Sequence, residues 1–174
     1  MSYIRAHFDA VIIEGAGSPA EINLNAHEIV NMRVAREADV PVVLVTDVDR
    51  GGSLASIVGT LELVGSDRER VKGIIFNTFR GDINLFADAV KWTENYTGVK
   101  VLGVVPYARD IKIPAEDSLS VNGITTGNFD SSTFDSMAKL LTQSLDINFI
   151  TELITKIKNG SLELSINDEI INNN

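Results

Sequence analysis

Four short apolar runs, rich in β-branched residues and almost free of polar interruption, limit the folds open to this sequence. They are Asp9–Glu14, Pro41–Asp47, Val71–Asn77 and Val99–Pro106. A strand with one wet face alternates apolar with polar residues, whereas these runs do not, which is the pattern of strands buried on both faces. Between them lie segments with helical spacing, at about 26–39, 53–65 and 82–97. In the last of these, Leu85, Ala89 and Trp92 recur at steps of four and three residues, a stripe expected to pack together with Phe86. Strand, helix, strand, repeated, implies right-handed crossovers and a parallel sheet with helices on both faces, hence an α/β fold.

The remainder of the chain reads differently. Residues 107–130 are loop-like, with Pro114, Gly123 and Gly127 and little periodicity. Ser131, Ser132 or Thr133 is placed to cap a helix with Phe134, Met137, Leu141 and Leu145 on one stripe. A further helix carries Ile150, Leu153, Ile154 and Ile157 on one face, and the two are expected to cover the sheet. The expected organisation is one domain over 1–158, with a helical cap from about 131 and a polar tail over 159–174.

Composition removes several classes of function. At 174 residues and 44% hydrophobic content, the chain can bury a substantial core. It has no cysteine, which excludes disulfides, thiolate nucleophiles and thiolate-held metals. Only His7 and His27 could serve as imidazole ligands, and His27, at a helix start, reads as structural. No apolar run reaches the roughly 20 residues that span a bilayer and no signal peptide opens the chain, so no membrane is expected and the expected compartment is the cytoplasm. The net charge of −9 argues against nucleic acid, whose phosphates require a basic face. A metal-bound small anion remains open.

Ligands of open parallel sheets bind beyond the carboxyl ends of the strands, and there the distinctive polar residues fall. The runs lead into Glu14-Gly15-Ala16-Gly17-Ser18, Asp47-Val48-Asp49-Arg50-Gly51-Gly52, Asn77-Thr78-Phe79-Arg80-Gly81-Asp82 and Pro106-Tyr107-Ala108-Arg109-Asp110. Glu14 is either a Mg2+ ligand or an acid in a turn, and Gly15 and Gly17 would let backbone approach a ligand. Strand geometry puts Asp47 and Asp49 on one face, suited to a metal or a substrate amide; the alternative is an acidic turn with Arg50 as its own ion-pair partner. The Gly51-Gly52 pair signals unusual φ or close ligand approach. Asn77 and Arg80 are placed to read a base and an anionic group, or to cap the next helix, and Asp82 is the more ordinary cap. The sequence has neither a G-x-x-x-x-G-K-[ST] phosphate loop nor G-x-G-x-x-G after a strand.

These blocks resemble the cobyric acid synthase family, glutamine-dependent amidotransferases of cobalamin biosynthesis. The resemblance is carried by Val11–Leu24, which holds the string E-G-A-G-S-P-A-E-I-N-L, and by Ile29–Met32, Asp47–Ser56, Asn77–Asp82, Gly103–Tyr107 and Pro114–Leu119. It covers roughly residues 8–120 in family order and spacing, the central part of the family's synthetase domain. It implies a P-loop NTPase fold akin to dethiobiotin synthetase. Members use ATP and Mg2+ to phosphorylate carboxylates of adenosylcobyrinic acid a,c-diamide, and ammonia from glutamine then gives the b, d, e and g amides. By resemblance Glu14 would hold Mg2+, and Asp47, Asp49 and Arg50 would face the substrate carboxylate and the γ-phosphate. Gly15, Gly17, Asn77 and Arg80 would belong to the nucleotide site, and Pro106 and Tyr107 would border the adenine.

The chain departs from the family by lacking the phosphate loop and the cysteine-dependent glutaminase domain, and Thr78 stands where a lysine is usual. The expectation is therefore an incomplete synthetase core, inactive alone, that depends on glutamine or ammonia through a glutaminase domain and is open to homodimerisation. The alternatives are the sister activity, cobyrinic acid a,c-diamide synthase, and a non-catalytic binding domain on a nucleotide fold.

Overall fold

The computed structural model describes residues 2–23, 29–109, 111 and 131–159. Three parallel strands form one sheet in the order β1-β2-β3: β1 Val42–Asp47, β2 Val71–Phe79 and β3 Val101–Pro106. Helix α1 spans Ser2–His7, α2 Met32–Ala38 and α3 Ser53–Leu63. A 3-10 turn over Gly65–Arg70 leads into β2, and another over Ile83–Phe86 leads into α4, Ala87–Thr97. Helices α5, Ser131–Ser144, and α6, Ile147–Asn159, complete the described chain.

The core forms where the β-branched runs meet α3 and α4. Ile74 and Phe76 of β2 are fully buried against Ile57 and Leu61 of α3, with Val101 and Val104 of β3 beside them. Phe86 and Val90 join the same cluster, so α3 and α4 cover one face of the sheet. On α4 the inward stripe is completed by Thr93 and Thr97, whose hydroxyls bond back to the carbonyls of Ala89 and Thr93 at 2.7 and 2.6 Å. That satisfies polar groups which would otherwise be costly to bury. Phe86 lies edge-on to Phe76 with ring centroids 5.0 Å apart.

The α/β fold and open parallel sheet stand as expected, with three differences in detail. Asp9–Glu14 is not a strand: it joins no sheet ladder among the described residues, and Ile12 is 87% exposed. An apolar run supplies the propensity for a strand, but ladder bonds require a neighbour. Second, the expected inward stripe starts in the 3-10 turn before α4, not on the helix, and its large side chains face outward. Leu85 is 83% and Trp92 44% exposed, and only Phe86 of the expected packing set faces the core. Third, Phe134 of α5 is exposed, while Met137, Leu141 and Leu145 are half-buried. His27, the blocks from Asp110 onward that carry Pro114–Leu119, and the tail beyond Asn159 lie outside the described residues.

The far edge of β3 is closed by the α5–α6 junction. Asp146 N donates to Leu102 O at 2.7 Å, and Gly103 and Leu145 form an isolated antiparallel bridge. Gly103 has φ +154, and a Cβ there would lie 2.0 Å from Ser144 O, so the chain needs glycine at this crossing. Lys100 fixes the junction by pairing with Asp146 at 2.6 Å while lying over the Phe149 ring.

Candidate functional site

The register that pairs Asp47 with Asn77 and Phe79 with Pro106 brings the carboxyl ends of all three strands to one edge. β1 ends at Asp47, and the chain then turns, so Asp49 is not on the strand. Asp47 Oδ1 instead accepts from Asp49 N at 2.9 Å, which makes the pair an Asx-type turn rather than two acids on one strand face. Gly51 and Gly52 both have positive φ, +75 and +72, and lead into α3 as their sequence suggests.

Thr78 Oγ1 also donates to Asp47, from a residue in the left-handed region at φ +61. That conformation is uncommon for a β-branched side chain. The Thr78 hydroxyl, then the Asp49 N–H, then the Arg50 charge hold the Asp47 carboxyl below the ordinary aspartate range. Arg50 lies 3.4 Å from Asp47, but its side chain is 90% exposed, so the ion-pair alternative is realised only loosely.

Arg80 joins the three strand ends. Its guanidinium bonds both oxygens of Asp49, at 2.5 and 3.2 Å, and its Cζ lies 3.5 Å above the centre of the Tyr107 ring. Asp49 foremost, and Tyr107 with it, push the Arg80 pKa up. One face of Tyr107 is therefore covered by a cation and cannot also stack on a base. Asn77 contributes backbone: its carbonyl accepts from Val48 N at 3.0 Å and from Thr78 Oγ1 at 2.6 Å. Pro106 is exposed, and Tyr107 N donates to Phe79 O at 2.8 Å. Asp82 is the cap its position suggests, accepting from Asn84 N at 2.9 Å.

Past Tyr107 a cleft of about 480 Å³ opens against α5, lined by Ala108, Arg109, Lys139, Leu140 and Gln143. The contribution of α5 had no sequence signal, because Lys139 and Gln143 are ordinary residues of an amphipathic helix.

The structure does not join Glu14, Gly15 and Gly17 to this cluster through any described contact. Their loop is clasped by Asn31, whose amide donates to Ala16 O at 2.8 Å and accepts from Ala16 N at 3.1 Å. A Cβ on Gly15 would lie 2.1 Å from Asn31 Oδ1, so that glycine admits a side chain of the protein itself. Glu14 is exposed and makes no hydrogen bond or ion pair among the described residues. No group of three acids or histidines able to hold a metal occurs among the described residues. A lone carboxylate still suits Mg2+, which keeps several waters and binds through one or two carboxylates plus phosphate oxygens.

The open parallel sheet, with its polar residues gathered at the strand ends, defines a P-loop NTPase-like α/β domain. The chain belongs to the family described as AAA domain, whose model matches residues 1–115. Within that class it is similar to cobyric acid synthases, and the match fits the central part of their synthetase domain. It is 56% identical to that of Anoxybacillus flavithermus over 129 residues, covering 74% of this chain and 25% of that protein. It is 59% identical to that of Geobacillus kaustophilus over 115 residues, covering 66% of this chain and 23% of that protein. The chain thus spans about a quarter of the length of the curated relatives it matches. No solved structure matches it. No helix among the described residues is long and apolar enough to cross a membrane.

Proposed function

We propose that this chain forms the carboxylate-activating edge of an ATP-dependent, cobalamin-pathway amidotransferase. Its substrate would be adenosylcobyrinic acid a,c-diamide and its ammonia would come from glutamine. The reading rests on the meeting of Asp47, Asp49, Arg50, Thr78, Arg80 and Tyr107 at one sheet edge, in a chain 56% identical over 129 residues to a cobyric acid synthase. It extends to 1–158 as a synthetase core with α5 and α6 as its cap.

In the reaction a substrate carboxylate oxygen attacks the γ-phosphorus of ATP, the bond to the β-phosphate oxygen breaks, and ADP leaves. Ammonia then attacks the acyl carbon, phosphate departs, and the amide loses a proton. Such transfer asks the protein for positioning and charge rather than covalent chemistry. Arg50, exposed and only loosely held, is the cation free to meet the γ-phosphate or the substrate carboxylate. Asp47 and Asp49 fix the turn that carries Arg50, and Arg80, already committed to Asp49, serves as its strut. Glu14 would hold Mg2+, which when bound screens the phosphate charge. The base would enter the cleft between Tyr107 and α5, with Asn77 and Pro106 beside it.

A chimera tests this reading. Residues 8–120 of this chain replace the matching segment of the Geobacillus kaustophilus cobyric acid synthase, and corrinoid products are followed by mass spectrometry with Mg-ATP and glutamine. Four successive amidations of the a,c-diamide are expected, and Arg50→Ala should slow them by roughly a hundredfold or more, as removal of one charge-stabilising donor does. A folded chimera that leaves the a,c-diamide unchanged overturns the proposal. A chimera that instead amidates the a and c positions of cobyrinic acid points to the sister synthase.

A further inference from the structure

The cleft beyond Tyr107 is lined by charge of one sign. Its α5 wall is a single helix face, Ser136, Lys139, Leu140 and Gln143, spaced as i, i+3, i+4 and i+7. Its other wall follows β3 and carries Tyr107, Ala108 and Arg109. A cation from each wall therefore faces the cleft, and no carboxylate lines it. Among the described residues neither Arg109 nor Lys139 makes an ion pair or a side-chain hydrogen bond, and Asp135, one turn before Lys139 on α5, does not pair with it. Elsewhere the guanidinium groups are committed: Arg33, Arg36, Arg50, Arg70 and Arg80 each pair with a carboxylate, and Arg68 donates to Thr97 O. In a chain with 15 basic and 24 acidic residues, two cations that meet without an acid set up a local field that an anion would neutralise.

We propose that Arg109 and Lys139 bind the phosphate nearest the ribose of a nucleotide whose base lies against Tyr107 and Leu140. The proposal rests on the reading above that a base enters this cleft, and it adds the residues that tell a nucleotide from a nucleoside. In that reading the γ-phosphate goes to Arg50 after β1, so the phosphate that shares the cleft with the base is the one a single ribose away. Arg109 offers a planar fork of donors and Lys139 a point charge, from opposite walls, which suits the several oxygens of one phosphate. Gln143, one turn beyond Lys139, makes no side-chain hydrogen bond among the described residues, and its amide both donates and accepts, as a ribose hydroxyl or a base edge requires. A bare phosphate or carboxylate would use the cations and leave Tyr107 and Leu140 in water. A nucleoside would cover the apolar part and leave both cations unpaired. A nucleotide satisfies the two together.

The full chain is titrated with AMP, adenosine and inorganic phosphate, and binding is followed by NMR chemical-shift changes at low and raised salt. AMP is expected to bind about tenfold more tightly than adenosine at low salt, the worth of two exposed charge contacts, and the gap should close as salt is raised. Arg109→Gln and Lys139→Gln should each narrow the gap by about threefold and the double variant should abolish it, while adenosine binding stays the same. Both side chains are exposed, and unchanged circular dichroism checks that the variants fold. Equal binding of AMP and adenosine overturns the proposal and leaves the base in the cleft. So does a preference for AMP that survives both substitutions. Phosphate binding as tightly as AMP also overturns it, in favour of a simple anion site. Binding of none of the three overturns the proposal and the placement of the base together.

Discussion

Thr78 holds a backbone conformation that L-residues adopt at a cost of roughly 1–2 kcal/mol, and its hydroxyl is bonded to Asp47. Thr78→Val keeps the branched shape and removes that bond, so the Asp47 carboxyl should titrate closer to the ordinary aspartate value, read by carbon NMR of its side chain. The neighbouring junction gives a related test. Lys100 first, then the Phe149 N–H, lower the Asp146 pKa. A carboxyl with a depressed folded-state pKa stabilises the fold above its unfolded value, near 3.8, and that contribution disappears as pH falls through the lower folded-state value. Denaturation midpoints should therefore fall on acidification below about pH 4, and Asp146→Asn should flatten the slope. An equally steep slope in the variant would count against the assignment.

At the scale of the element, α4 and β3 carry the sharpest expectations. Phe86→Ala should destabilise by about 2–4 kcal/mol, because it empties a place in the aromatic cluster. Leu85→Ala one position away should stay within about 0.5 kcal/mol in dilute solution, where its side chain faces water. Gly103→Ala should cost about 1–3 kcal/mol through overpacking against Ser144 and Leu145, measured by urea unfolding. The three strands were legible because β-branched runs bounded by Gly, Pro and Asp admit few other structures. The 9–14 run showed the limit of that signal, since propensity does not supply a hydrogen-bonding partner. On α4 the expected stripe was the wrong one: Leu85 falls in the 3-10 turn before the helix, and the inward side is closed by Thr93 and Thr97, which a search for apolar residues passes over. Asp82 as a cap and Gly51-Gly52 as a positive-φ pair were visible because their chemistry is local. The Arg80–Tyr107 stack and the left-handed Thr78 were not, because they follow from how three strand ends are registered.

For the molecule as a whole, the net charge of −9 is compatible with an anionic ligand only because cations are placed locally, Arg50 and Arg80 at the strand ends and Arg109 and Lys139 in the cleft. The guanidinium of Arg80 is held between a carboxylate contributed after β1 and a ring contributed after β3, while itself belonging to the exit of β2. Those loops are therefore not three independent hinges. Displacing any one of them requires breaking a charge pair or lifting a cation off an aromatic face, so movement of one loop is coupled to the other two. Raised salt, which screens the half-exposed ion pair but not the packing beneath it, should loosen this edge while the sheet stays intact.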